Sequence, residues 1–161
     1  MKKTAKFLIV FFAISLFNYS PVYAAGSSDG GANDKVEPYK QGKNLVYRAK
    51  KLEKKNKNDK AKKLYLRALK KFEKAYIKDK KNPDILNYLG FTLRKTGDLK
   101  NAEIYYLKGL ELDSDHLGIN EYLGELYVQT NRIELAKKRL EVLYGCKCEE
   151  YEELKEIIEN K

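Results

Sequence analysis

Between Lys43 and Ile158 apolar side chains recur every three or four positions, the spacing of helices that turn one face inward. Leu45, Ala49 and Leu52 fall at i, i+4 and i+7 before a polar break, Asn56 to Asp59. A second stripe runs through Ala61, Leu64, Ala68, Phe72, Ala75 and Tyr76. Asn82-Pro83 predicts a new helix start: the asparagine can accept from an orphan amide, and proline has no N–H to leave unpaired at the first position. Gly97-Asp98 predicts a stop and a restart, because glycine takes the left-handed residue that ends a helix and Asp98 can cap the next one. Ser114-Asp115, Asn131 and Gly145 punctuate the remainder. No stretch alternates with period two for long enough to form a strand, so the expected fold is all-α.

The ends differ from this pattern. Residues 1–24 carry Lys2, Lys3 and Lys6, an apolar run from Phe7 to Phe17, then Asn18, Ser20 and Pro21 before Val22-Tyr23-Ala24. That order is expected of a bacterial secretory signal peptide cleaved after Ala24. The other reading is a retained membrane anchor, but the run is well short of the roughly 20 residues that span a bilayer. No Cys follows the cleavage point, which argues against a lipid anchor, and the expected location is the periplasm. Residues 25–42 are rich in Gly, Ser and Asn without an apolar period and are expected to be a flexible lead.

Composition narrows the function classes. The 161 residues are 35% charged and 43% hydrophobic, with Gly 10 and Pro 3, which excludes collagen-like or wholly disordered chains. A single His and two Cys leave little for a metal centre or a His-based triad, and no cofactor is expected. The charge is lopsided: residues 25–81 hold 19 basic and 7 acidic side chains, residues 82–161 hold 11 and 16. Lysines 50, 51, 54, 55, 57, 60, 62 and 63 are the densest cluster. For an exported chain the stretch 50–81 suits weak contact with an anionic membrane surface or polysaccharide rather than nucleic acid, or it is simply a solvated face.

Shifting the sequence by 34 positions aligns 83–110 with 117–144, with six identical pairs in 28: Ile85/Ile119, Tyr88/Tyr122, Leu89/Leu123, Gly90/Gly124, Thr96/Thr130 and Ala102/Ala136. Gly97 is matched by Asn131, the other residue that tolerates a left-handed helix end. The run Asn82 to Gly90, then Gly97-Asp98, Ala102, Tyr106 and Leu112-Asp113, resembles a tetratricopeptide repeat, and the second copy matches through Tyr122-Leu123-Gly124, Tyr127 and Ala136. Gly90 and Ala102, like Gly124 and Ala136, are small where paired helices must come closest. Gly109 and Ser114 depart from the family's usual Ala and Pro. Ala68, Phe72 and Ala75 lie 34 residues before Ala102, Tyr106 and Gly109, but the break at 56–59 comes about two turns early. Residues 43–82 are therefore either a degenerate first repeat whose second helix is lengthened at its start, or an unrelated hairpin. Repeats follow at 83–116 and 117–148. At 149–161 a capping helix with Tyr151, Leu154, Ile157 and Ile158 on one face would close the stack.

The resemblance implies a short right-handed α-solenoid of antiparallel hairpins, non-catalytic, that holds a protein or peptide partner in a concave groove. It also implies that the second, fifth, ninth, twelfth and thirteenth residues of each first helix face that partner. These are Asp84, Asn87, Phe91, Arg94 and Lys95, then Gly118, Glu121, Glu125, Val128 and Gln129. Phe91 is either a partner anchor or packs on the neighbouring hairpin. Arg94 and Lys95 could take a carboxylate, with Asn87 bonding a partner's backbone. Glu121 and Glu125 suit a basic segment or form a solvated face. Tyr88, Tyr106, Tyr122 and Tyr127 fall on helix-packing positions and are assigned to the core. His116 is expected to cap or satisfy its turn. Cys146 and Cys148 are close enough for a disulfide in an oxidising compartment; the other readings of the pair are a thiol-redox or a copper-handling protein.

Overall fold

A computed structural model of the chain describes residues 33–161. The signal peptide read over 1–24, and the lead from 25 to 32, lie outside the described residues. Among the described residues there are seven helices and no strand. They are α1 (Asn33–Glu53), α2 (Asn58–Lys78), α3 (Pro83–Thr96), α4 (Leu99–Leu112), α5 (Leu117–Gln129), α6 (Ile133–Leu143) and α7 (Glu149–Glu159). They pack as three consecutive hairpins, α1–α2, α3–α4 and α5–α6, followed by α7 against α5 and α6. This is a tetratricopeptide-like α-solenoid.

The lead expected over 25–42 is instead helical from Asn33. Tertiary contacts decide this, not propensity. Tyr39 meets the rings of Phe72 and Tyr88 at 6.0 and 5.7 Å. Gly42 lies so close to α2 that a Cβ there would stand 2.5 Å from the Phe72 ring. Pro38 sits inside the helix and removes one hydrogen bond, which these contacts outweigh.

Each hairpin turns on one left-handed residue: Asn56 at φ 56°, Gly97 at 104° and Asn131 at 59°. The following amide then donates back across the turn, Lys57 to Leu52, Asp98 to Leu93 and Arg132 to Tyr127, at 2.9, 2.9 and 2.7 Å, satisfying a terminal carbonyl. The last two turns are 34 residues apart and the first two are 41 apart. Gly42 faces Phe72 as Gly90 faces Tyr106, yet Phe72 precedes Tyr106 by 34 residues while Gly42 precedes Gly90 by 48. The first hairpin thus holds 14 additional residues, seven in each helix. The expected lengthening of the second helix is matched by an equal one in the first. The tip of α1–α2 extends about 10 Å beyond the frame of the other hairpins.

Helix starts follow local chemistry. Asn82 Oδ1 accepts from Ile85 N at 3.2 Å, and Asp98 Oδ1 from Asn101 N at 3.2 Å. His116 Nδ1 accepts from Ile119 N at 3.3 Å, so the lone histidine is a helix cap. Leu86, Leu89, Ala102, Tyr106, Ile119, Leu123 and Ala136 form the buried seam. Gly124 is closely approached from α7. A Cβ there would lie 2.5 Å from Leu154 of α7. Leu140 replaces the ring that Tyr106 supplies in the preceding hairpin, and the fully buried Leu154 fills that space from α7.

Candidate functional site

Helices α1, α3 and α5 line one continuous face. The stripe Asn87, Phe91, Arg94 and Lys95 lies on α3, but these side chains do not stand open to a partner. Phe91 is 3% exposed. Its ring lies 5.7 Å from Tyr65 and 4.9 Å from Tyr122, with Lys50 Nζ 5.1 Å above it. It packs on neighbouring hairpins and forms a floor, not a projecting anchor. Arg94 pairs with Glu125 at 2.7 Å, and Lys95 with Glu53 at 2.8 Å. Two residues read as separate partner contacts, Arg94 and Glu125, therefore neutralise each other. Asn87 and Glu121 are also buried, at 6% and 3% exposure.

The cause is the long first hairpin. The added turns of α1 carry Glu53 to the end of α3, where it meets Lys95 and also accepts from the Tyr65 hydroxyl at 2.8 Å. Burial, together with that bond, pushes the Tyr65 phenol up. A hairpin of ordinary length would leave Lys95 without Glu53.

What remains open on this face is a cavity of about 310 Å³. Lys43, Val46, Tyr47 and Lys50 line it from α1, Tyr88 and Phe91 from α3, and Tyr122 from α5. Lys50 donates to the Tyr122 hydroxyl at 3.2 Å, and Lys43 Nζ lies 5.4 Å from the Tyr39 ring, so both ammonium groups sit beside aromatic faces. Tyr47 is 60% exposed at the rim. Tyr106 and Tyr127 are core residues as expected, but Tyr88 and Tyr122 are half-buried and line the cavity. The α1 residues were missed because α1 was not in register with a repeat. Aligning Gly42 with Gly90 and Gly124 would have placed Lys43 at the helix position of Phe91 and Glu125.

A second cavity, about 460 Å³, continues from the first through Lys43, Tyr88 and Tyr122. It is lined by Asn87, Asp84, Asp113, Asp115, Glu121 and Glu150 among others. Burial, the Glu153 hydrogen bond and the charges of Glu125 and Glu153 push the Glu121 carboxyl up to about 9, against the pull of Lys50. The face therefore has an aromatic half edged by lysines and an acidic half.

Cys146 and Cys148 are joined by a disulfide in the turn between α6 and α7. In this oxidised form neither sulfur is a thiolate that could hold copper. Among the described residues no group of three or more His, Cys, Asp or Glu is placed to hold a metal ion.

The chain is similar in sequence to a known repeat: the tetratricopeptide repeat family model matches residues 83–116. Among solved structures it is similar to the first TPR of Spaghetti (RPAP3) bound to the HSP90 peptide SRMEEVD, at 18% identity and TM-score 0.47, over 76% of this chain and 94% of that one. It is also similar to the Yersinia enterocolitica type III secretion translocator chaperone SycD, at 16% identity and TM-score 0.48, over 74% and 89% of the two chains. A third similar structure is SycD in complex with a peptide of the translocator YopD, at 18% identity and TM-score 0.45, over 73% and 86%. No curated protein matches the chain. Residues 83–116 thus form a tetratricopeptide repeat, and a hairpin with the same left-handed turn residue is formed on either side of it.

Proposed function

We propose that this protein is a non-catalytic adaptor that receives a peptide segment of a protein partner on the face formed by α1, α3 and α5, and that it works in the periplasm after export by residues 1–24. The observation that carries the reading is the aromatic cavity of about 310 Å³ on the inner helices, within the size range of ligand sites. Its floor of Tyr88, Phe91 and Tyr122 offers apolar area fixed by packing, so little side-chain entropy is lost when a guest side chain enters. Lys43 and Lys50 at its edge supply donors for a peptide's carbonyls or carboxylates. No helix among the described residues is long and apolar enough to cross a membrane.

Photo-crosslinking tests this reading. A benzophenone side chain at Tyr47, on the rim, should label a discrete partner in an envelope fraction. The same group at Ile77, 72% exposed and outside this lining, should not. Equal labelling from both positions, or none from Tyr47, refutes it.

One observation favours a second role. Lys54, Lys55, Lys57, Lys60, Lys62 and Lys63 cluster on the extended hairpin tip, exposed and without an ion pair among the described residues. Such a tip suits an anionic lipid or polysaccharide surface, held by charge and weakened by salt. Co-sedimentation with anionic vesicles that persists at high salt, or is absent at low salt, counts against it.

A further inference from the structure

The acidic cavity contains two acceptors that the fold leaves without donors. Glu121 is 3% exposed and its Oε1 has no hydrogen-bond partner; Asn87 is 6% exposed and its Oδ1 has none. Buried acceptors are almost always paired, so a pair of orphans lining one cavity marks a place where a donor is missing. Two of the other charged groups nearby are already engaged. Glu125 holds Arg94 at 2.7 Å, and Asp84 lies 3.5 Å from His116 Nε2, whose other nitrogen caps α5. Gly118 keeps the cavity open beside Asn87, since a Cβ there would stand 2.8 Å from Asn87 Nδ2. Asp113, Asp115 and Glu150 complete the wall, and Lys43 is its one lysine.

We propose that this cavity receives one basic side chain, lysine or arginine, of a peptide whose neighbouring apolar side chain occupies the aromatic cavity, with Glu121 and Asn87 as the acceptors. The inference rests on the reading of this face as a peptide groove and names the chemistry of its guest. The shared Lys43, Tyr88 and Tyr122 make the two cavities contiguous, so one short segment can fill both.

The groups that face Glu121 decide how it answers a cation. They are Lys50 from α1, Tyr106 from α4, Glu125 from its own helix and Glu153 from α7. With the cavity empty the carboxyl keeps its proton at neutral pH, because its pKa stands at about 9. An entering ammonium or guanidinium takes the place of that proton: Glu121 ionises, one proton passes to solvent, and the peptide's cation neutralises the carboxylate. A lysine of ordinary pKa, about 10.4, stays charged throughout. Affinity for the basic peptide should therefore rise toward tenfold per pH unit between pH 6 and 8.5.

The test begins with a random 12-residue display library selected on the full chain, with binders that Tyr47→Ala displaces kept as groove binders. Titration calorimetry of one synthetic binder, in two buffers of different ionisation enthalpy, should report release of about one proton. Replacing its lysine or arginine by norleucine should raise Kd at least tenfold and abolish that release. Glu121→Gln, nearly isosteric, should make the basic and norleucine peptides equal. Acetylating the peptide N-terminus should change nothing, and n-butylamine alone should not displace it at equimolar concentration. Loss of binding on acetylation would assign the cation to a chain terminus, and displacement by equimolar butylamine to a free amine; either overturns the proposal. Groove binders with no basic preference and unchanged Kd in Glu121→Gln overturn it while leaving the groove intact. A library that yields no groove binder removes both.

Discussion

Glu121→Gln should stabilise the folded chain, by an amount that grows with pH. The Glu121 carboxyl is pushed up to about 9 by burial first and by Glu153 and Glu125 after it, from an ordinary value of 4.5. A raised carboxyl pKa means that the folded state holds a proton which the unfolded chain releases above the ordinary value. The native state then loses about 1.4 kcal/mol per pH unit through that window, relative to a side chain that does not titrate. The window runs from 4.5 to about 9, so the difference is absent at its foot and reaches about 3 kcal/mol at pH 7. Glutamine keeps a donor for Glu153 and carries no charge, so it mimics the protonated acid. Urea unfolding of both chains at pH 5, 7 and 8.5 measures the difference. A gap that does not widen with pH, or a variant that is less stable at pH 7, refutes the assignment of a buried protonated carboxyl.

Three further outcomes follow from packing and covalent constraint. Leu154→Ala empties a fully buried site beneath Gly124 and should cost about 3 kcal/mol in denaturant, with partial loss of helical circular dichroism as α7 detaches. Gly90→Ala puts a methyl 2.5 Å from the Tyr106 ring and should cost about 1–3 kcal/mol, lowering Tm in a thermal melt. Reducing Cys146–Cys148 opens a very short loop and should cost only about 1.5 kcal/mol, lowering the urea midpoint by about 0.5–1.5 M.

The fold was legible where the chain repeats itself, since identical residues at period 34 fix the α3–α4 and α5–α6 hairpins and their turns. The start of α1 was not, because residues 33–42 read as polar and its helicity comes from Tyr39 and Gly42 meeting Phe72, a contact across 30 positions. The site was only half legible for the same reason. Periodicity places Phe91, Arg94 and Lys95 on the inner face, but their exposure depends on what the neighbouring hairpin does. Here it supplies Tyr65 beside Phe91, and its added turns supply Glu53 to Lys95. Arg94 and Glu125, 31 positions apart on different helices, could be read as two partner contacts until their 2.7 Å separation was seen. The first helix of that hairpin brings Lys43 and Tyr47 to the groove, and its added turns bring Lys50.

That arrangement makes the groove directional. Lys50 and Lys43 stand beside the aromatic cavity, and Asp84, Glu121 and Glu150 line the other. A peptide entered in reverse would set its basic side chain near Lys50 and leave Glu121 without a donor. Two like charges about 6 Å apart at an effective dielectric between that of a protein surface and water repel by about 1–3 kcal/mol, on the order of fivefold or more in affinity. A binder and its sequence-reversed form, compared by fluorescence anisotropy at low and moderate salt, should differ by about fivefold or more. The gap should narrow as salt screens the Lys50 term. Equal affinity of the two at low salt would mean that the charges on this face do not touch the guest, and that the groove selects by apolar area alone.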